Sequence, residues 1–235
     1  MDIDDILKDF EDSAREEKLN RQSGTNLYQE LLRAMINERM SPELLPYKHE
    51  LMTSVLRSIS DQQQYLLESH EYGDINSGSG VLSSDFKLQL MIIETELERL
   101  NYIIRLYMRT RLSKLNKFTI FYVRELNEDD ELLSREEKDY IHKYLHISTQ
   151  LYNNCFLKKL PPSATLLDDT TGEISMIVTP DVDQPVFIKC VSERPIILDY
   201  DGTTELDLEL VKDGVYVVKY SLIKRYLEIG DVIMI

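Results

Sequence analysis

The sequence predicts an α+β protein, an N-terminal helical bundle followed by a small β-rich domain, and three observations carry that reading. Between Asn26 and Phe156 the apolar residues recur every three or four positions, the period of helices that bury one face. Pro161-Pro162 then stops the pattern, because proline lacks the amide donor and crowds the preceding turn. After Thr165 come short runs rich in β-branched residues, punctuated by Asp-Gly pairs at 201 and 213. We accordingly expect an acidic N-terminal interaction segment over 1–20, a helical domain over 21–160, a linker over 161–170 and a small β-rich domain over 171–235.

The chain opens MDIDDILKDFED, which places Ile3, Ile6, Leu7 and Phe10 at i, i+3, i+4 and i+7 among acids. About ten residues are too few for a helix to be stable alone, and Asn20 to Thr25 loosens the chain after it. Such a stripe reads as a tethered ligand, with docking on the protein's own helices as the competing reading. Leu27, Leu31, Leu32, Met35 and Ile36 mark a helix that ends near Met40. Ser41-Pro42-Glu43 is expected to cap a fresh turn that Pro46 ends. Leu51, Met52, Val55, Leu56, Ile59 and Leu66 mark the next helix, and Gly73 to Ser84 is expected to be a loop.

A long helix should follow from about Asp85 to Glu125, roughly 60 Å at 1.5 Å per residue. Ser134 and Glu137 have the spacing of a capping box and open a last helix carrying Tyr140, Ile141, Tyr144, Leu145, Ile147, Leu151, Tyr152 and Phe156. Strands are expected over 174–178, 186–191, 196–200, 206–210 and 215–220, with the Asp-Gly pairs turning hairpins. One or two helical turns over 221–227, closed by Gly230, should lead to a terminal strand from Val232 to Ile235.

Composition narrows the function. At 235 residues and 43% apolar content the chain can bury a real core. A net charge of −15 and a pI near 4.7 argue against general binding to nucleic acid or an anionic membrane, which relies on clustered positive charge. Cys155 and Cys190 lie far apart without metal-type spacing, as in a reduced intracellular protein. Met1 is followed by acids, unlike a secretory leader, and no run of eighteen apolar residues occurs. These features lead us to expect a soluble cytosolic or nuclear protein.

Catalytic constellations are hard to find. The glycine-rich stretch at Gly73 has Ser79 and Gly80 where a phosphate-binding loop needs lysine and a hydroxyl residue. His142 and His146 are four apart on one helix but lack a third ligand and a general base. Glu94, Glu96 and Glu98 alternate by two and so spread around a helix instead of converging. We expect no enzyme, no cofactor and no metal.

One local reversal of sign stands out. From Arg99 to Arg124 the sequence carries seven Lys or Arg residues and no acid. Arg105, Arg109 and Lys117 can share one face, while Arg111 and Lys114 lie elsewhere, which argues against one flat stripe that tracks phosphates. A solvated face, a nucleic-acid contact and an interface to acidic partners all compete. The excess of arginine over lysine favours the interface, because guanidinium forks form fixed bidentate pairs with carboxylates and are enriched in interface cores.

Three strings, SPELLPYKHELM at 41–52, ETELERLNYIIRLYMRTRLSKLNKF at 94–118 and MDIDDILKDF at 1–10, together resemble the "five" (SLD-type) subunit family of the eukaryotic GINS replication complex. The resemblance implies a helical A domain and a β-rich B domain, packed with three related subunits into a heterotetramer in the nucleus. It implies no catalysis. The tetramer would join the MCM hexamer and a RecJ-like partner in the replicative DNA helicase of the replisome. Arg99, Leu100, Ile104, Arg105, Met108, Arg109, Arg111 and Leu112 would then supply the core or the helix-to-helix contacts between subunits. Asp4, Asp5, Ile6 and Leu7 match a short acidic box that binds a trimeric β-propeller adaptor, with Phe10 where leucine is common. A nucleic-acid module that uses the basic helix is the alternative, with direct DNA contact a secondary role at most in the assembly reading.

Overall fold

The computed structural model describes residues 26–77, 84–125, 131–161, 175–198 and 208–235; the acidic N-terminal segment, residues 78–83, most of the linker and the Asp201-Gly202 turn lie outside them. Two compact units emerge, one containing Lys48–Arg105 together with residues before Ile36, the other combining Ile36–Tyr47 with Leu106–Ile235.

The first unit is helical. It contains most of α1 (26–40), α2 (His49–Ser77) and the first part of α3 (Ser84–Lys117). Leu31, Met35, Met52, Val55, Ile59, Leu90, Leu97, Ile103 and Ile104 are buried apolar residues of its described part, spaced for the most part as a helical period of three or four requires. The expected loop from Gly73 is corrected here, since α2 continues through Gly73 to Ser77. One glycine costs a helix about 1 kcal/mol relative to alanine, too little to end it unaided.

In the second unit the chain leaves α1 and runs irregularly from Ser41 to Lys48, so Ser41-Pro42 does not start a helix. The reason lies in the carbonyls. Those of Glu43 and Leu45 accept from Lys114 Nζ at 2.8 Å and Arg111 at 2.6 Å, and are therefore lost to any helical ladder. The expected single rod from 85 to 125 is also interrupted. α3 ends at Lys117 and α4 (Thr119–Glu125) follows after Phe118. Thr119 Oγ1 donates to the Leu115 carbonyl at 2.7 Å, a back-bond that bends helices, and Phe118 joins a buried cluster with Leu44, Leu115, Tyr122, Leu133 and Ile141. α5 (Arg135–Cys155) opens on the full capping box: Glu137 N donates to Ser134 Oγ at 3.2 Å and Ser134 N to Glu137 Oε2 at 3.0 Å.

The β-rich part comprises β1 (Pro185–Cys190), β2 (Ile196–Leu198), β3 (Leu208–Leu210), β4 (Val215–Lys219), α6 (Tyr220–Ile229) and β5 (Val232–Met234). β4, β1 and β5 form one antiparallel sheet, with Phe187 opposite Val217 and Ile188 opposite Met234. β2 and β3 pair antiparallel in a second sheet. Val186, Ile188 and Cys190 alternate inward and meet Leu210, Val218, Ile223, Leu227 and Val232 in one core. Gly230 ends α6 in the left-handed region at φ 93°, as a glycine after a helix does.

Two expectations fail in this part of the chain. Ser175 to Pro180 form no strand; Met176 and Val178 instead help line a cavity with Tyr144 and Tyr152 of α5. Asp213-Gly214 does not join a hairpin, because β3 and β4 belong to different sheets. The turn packs back on β1, where Asp213 N donates to the Cys190 carbonyl at 2.9 Å and Cys190 N to that of Gly214 at 3.1 Å.

Candidate subunit interfaces

Burial divides the basic residues of α3 into two sets. Arg111 has no solvent exposure and stands in the row Tyr107, Arg111, Leu115, each four residues from the last and each buried. Its Nε donates to Glu137 Oε1 at 2.8 Å and Nη2 to Glu137 Oε2 at 3.0 Å, a bidentate fork. Nη1 donates to Glu38 Oε2 at 3.0 Å and to the Leu45 carbonyl, and Nη2 also reaches the Leu132 carbonyl at 2.9 Å. The guanidinium carbon lies 5.2 Å from the Tyr47 ring centroid and 5.7 Å from that of Tyr107.

Lys114 completes the node. Its ammonium donates to Glu38 Oε1 at 2.8 Å, to Ser41 Oγ at 2.7 Å and to the carbonyls of Glu38 and Glu43. Burial alone would lower the Arg111 pKa, yet the hydrogen bond to Glu137 and the charges of Glu38 and Glu137 outweigh it and hold the guanidinium above its ordinary value. For Lys114 the balance reverses: burial outweighs Glu38, and its pKa is lowered. Both oxygens of each carboxylate accept at least one hydrogen bond within this node. Every carboxylate oxygen of the cluster is therefore paired with a cation, which makes the cluster a brace between helices.

The remaining predicted positions on α3 fall elsewhere. Ile104 is buried, and Leu100, Met108 and Leu112 are half-buried. Arg99, Arg105 and Arg109 are exposed, with Arg99 paired to Glu96 at 2.7 Å. Tyr102 is 66% exposed and stands three residues from both Arg99 and Arg105. An exposed tyrosine between arginines has the composition of an interface anchor. Asp4, Asp5, Ile6, Leu7 and Phe10 lie outside the described residues.

Sequence reasoning missed a second surface. The first half of α5 buries Glu137 and Ile141, but further along Ile147, Leu151, Tyr152 and Phe156 are all exposed, Ile147 at 64%. Apolar residues spread around more than one face of that helix were the available signal. In the β-rich part the outer sheet face also exposes Phe187, Val215 and Val217. Large apolar side chains left exposed in this number are candidates for association. Among the described residues no group of three His, Cys, Asp or Glu side chains could hold a metal, and no helix is long and apolar enough to cross a membrane.

Two family models match the chain. Residues 26–156 match the family described as the GINS complex protein helical bundle domain, and residues 180–235 match the DNA replication complex GINS protein SLD5 C-terminus. The chain is similar to the DNA replication complex GINS protein SLD5 of Debaryomyces hansenii, 58% identical over all of this chain and 98% of the relative. It is 35% identical to that of Saccharomyces cerevisiae over 88% of this chain and 80% of the relative. The Schizosaccharomyces pombe protein is 32% identical over 89% and 92%.

Two measurements test the node. Arg111→Met leaves two buried carboxylates without their guanidinium and should cost about 3 to 5 kcal/mol, read from the urea midpoint. Burial raises the pKa of Tyr107 and of Tyr122 to about 12. Unfolded tyrosines ionise near 10, so stability is full below that pH and falls as pH rises toward 12. Tyr107→Phe should lessen the fall between pH 10 and 11 by on the order of 1 kcal/mol, measured by urea unfolding at both pH values.

Proposed function

The chain belongs to the SLD5 family of GINS complex proteins of DNA replication, and from that premise we propose that it is a non-catalytic subunit that completes its fold against three related chains. The exposed apolar residues Ile147, Leu151 and Tyr152 of α5 and Phe156 at its C-cap are the observation that carries the reading, since water is a poor partner for four large side chains. Arg99, Tyr102, Arg105 and Arg109 offer polar contacts to the same kind of neighbour, while Ile104, Arg111 and the half-buried Leu100, Met108 and Leu112 support the helices that present them. In this reading the domains fall at 21–160 and 171–235, with the linker between them.

The heterotetramer joins the MCM hexamer and a RecJ-like partner in the nucleus, and there it braces the replicative helicase without reacting. The acidic box at Asp4, Asp5, Ile6, Leu7 and Phe10 binds a trimeric β-propeller adaptor of the replisome. The nucleic-acid alternative is weakened by Arg111 and Lys114, because charges spent on Glu38 and Glu137 inside the protein are not available to phosphates.

Expressed alone, the chain should aggregate, and co-expression with the three partner subunits should yield a soluble complex whose mass fits one copy of each. Ile147→Asp with Leu151→Asp should reduce its recovery at least tenfold; a well-behaved monomer with no affinity for such partners would overturn the reading. Ile6→Ala with Leu7→Ala should abolish adaptor binding in a pull-down while the tetramer still forms. Loss of both together would assign the segment to the fold.

A further inference from the structure

Within the first unit, α1, α2 and α3 do not close on one another along their whole length. They border a half-open cavity of about 640 Å³ whose walls include Leu27, Leu31, Val55, Ile59, Leu97 and Leu100. That volume lies in the range of pockets that take a ligand of several side chains, and its lining is chiefly aliphatic. Water gains few hydrogen bonds from such walls. An apolar occupant with little need for polar partners fits them best.

The same chain carries a candidate of that description. Ile3, Ile6, Leu7 and Phe10 form one apolar stripe at helical spacing, and the residues after it, 11–25, end one residue short of Leu27 and Tyr28, which themselves line the cavity. A random-coil chain of that length, fifteen residues, would span roughly 20 Å on average, enough to bring the stripe back over the helices it precedes. A tether of this length holds its ligand at an effective concentration of about millimolar. Even weak intrinsic affinity then keeps the cavity filled.

We infer that the cavity among α1, α2 and α3 is a docking site for the chain's own N-terminal stripe, Ile3 to Phe10. The stripe thus has an address within its own subunit, whether or not the adaptor reading holds. If both hold, the two addresses exclude each other, because the same Ile6 and Leu7 serve each, and an adaptor must first draw the segment out.

The test uses the full chain with exposed Cys155 replaced by serine, partner subunits being added where they are needed to keep it in solution. Ile3→Cys is combined either with Ser58→Cys, which lines the cavity, or with Arg57→Cys, its exposed neighbour outside the lining. Reach from the tether is the same for both, so only docking separates them. In a glutathione redox buffer the Ser58 pair should form an intramolecular disulfide at least tenfold faster than the Arg57 pair. Adding Ile6→Asp and Leu7→Asp should erase the difference. Equal rates for the two pairs, a difference that survives the aspartates, or cross-links that run as a dimer of this chain or join it to a partner subunit would each overturn the inference. None of these readouts involves the adaptor, so failure here leaves the adaptor reading intact.

Discussion

A guanidinium sealed from water requires that every neighbour be in place before it is buried, and Arg111 imposes that demand on this fold. Desolvating an ion costs several kcal/mol unless opposite charge and hydrogen bonds replace the water. Here Glu38 comes from α1, Glu137 from the first turn of α5, and two carbonyls from the irregular stretches at Leu45 and Leu132. Four separate pieces of chain must therefore converge on one side chain. The path from Ser41 to Lys48 follows from this, since a helix there would withdraw the carbonyls that Arg111 and Lys114 need.

The constraint extends to the β-rich part through the same stretch. Glu43 accepts from Tyr220 Oη at 2.7 Å and pairs with Lys224 Nζ at 2.7 Å. Met234 N donates to Asn37 Oδ1 at 2.9 Å, and Leu45 packs against the β-rich core. Burial and the hydrogen bond to Glu43 both raise the pKa of Tyr220, so its hydroxyl stays a donor at neutral pH. A segment of twelve residues, Ile36–Tyr47, thus carries acids that face two ways. Glu38 neutralises the interior cations, and Glu43 holds α6.

Much of this was legible before any coordinates. The capping box at Ser134, the left-handed stop at Gly230 and the inward alternation of β1 follow from local rules, and local rules suffice where the partner atoms lie within a few residues. The separation of Arg111 and Lys114 from the face of Arg105 and Arg109 was also readable from helical angle. Their destination was not, because Glu38 lies 73 residues away in sequence and no periodicity encodes a contact at that range. A signal did exist: Tyr107, Arg111 and Leu115 form one row, as do Leu31, Met35 and Glu38, so each charge interrupts an otherwise apolar stripe. The bend at Phe118 and the helical run through Gly73 were missed for the opposite reason. At Phe118 burial and the Thr119 back-bond overruled helix propensity, and at Gly73 the cost of one glycine was too small to stop the helix.

The absence of acids between Arg99 and Arg124 has one cause inside the fold and, on the assembly reading proposed above, a second outside it. Inside, an acid on α3 next to Arg111 would compete with Glu38 and Glu137 for the same donors and leave one carboxylate buried without a partner, an arrangement that costs more than it returns. Outside, Arg99, Tyr102 and Arg105 are exposed on α3, as is Arg109, and an added acid there would offset a concentration of positive charge on an anionic chain. A solvated helix gains nothing from keeping such a surface free of acids, since mixed signs at i, i+4 stabilise it better. A face that meets carboxylates on another chain does gain, because like charge there would be repelled at close range. The buried half of the basic stretch is therefore explained by Glu38 and Glu137 inside this chain, while the exposed half has the composition of a face that would meet carboxylates.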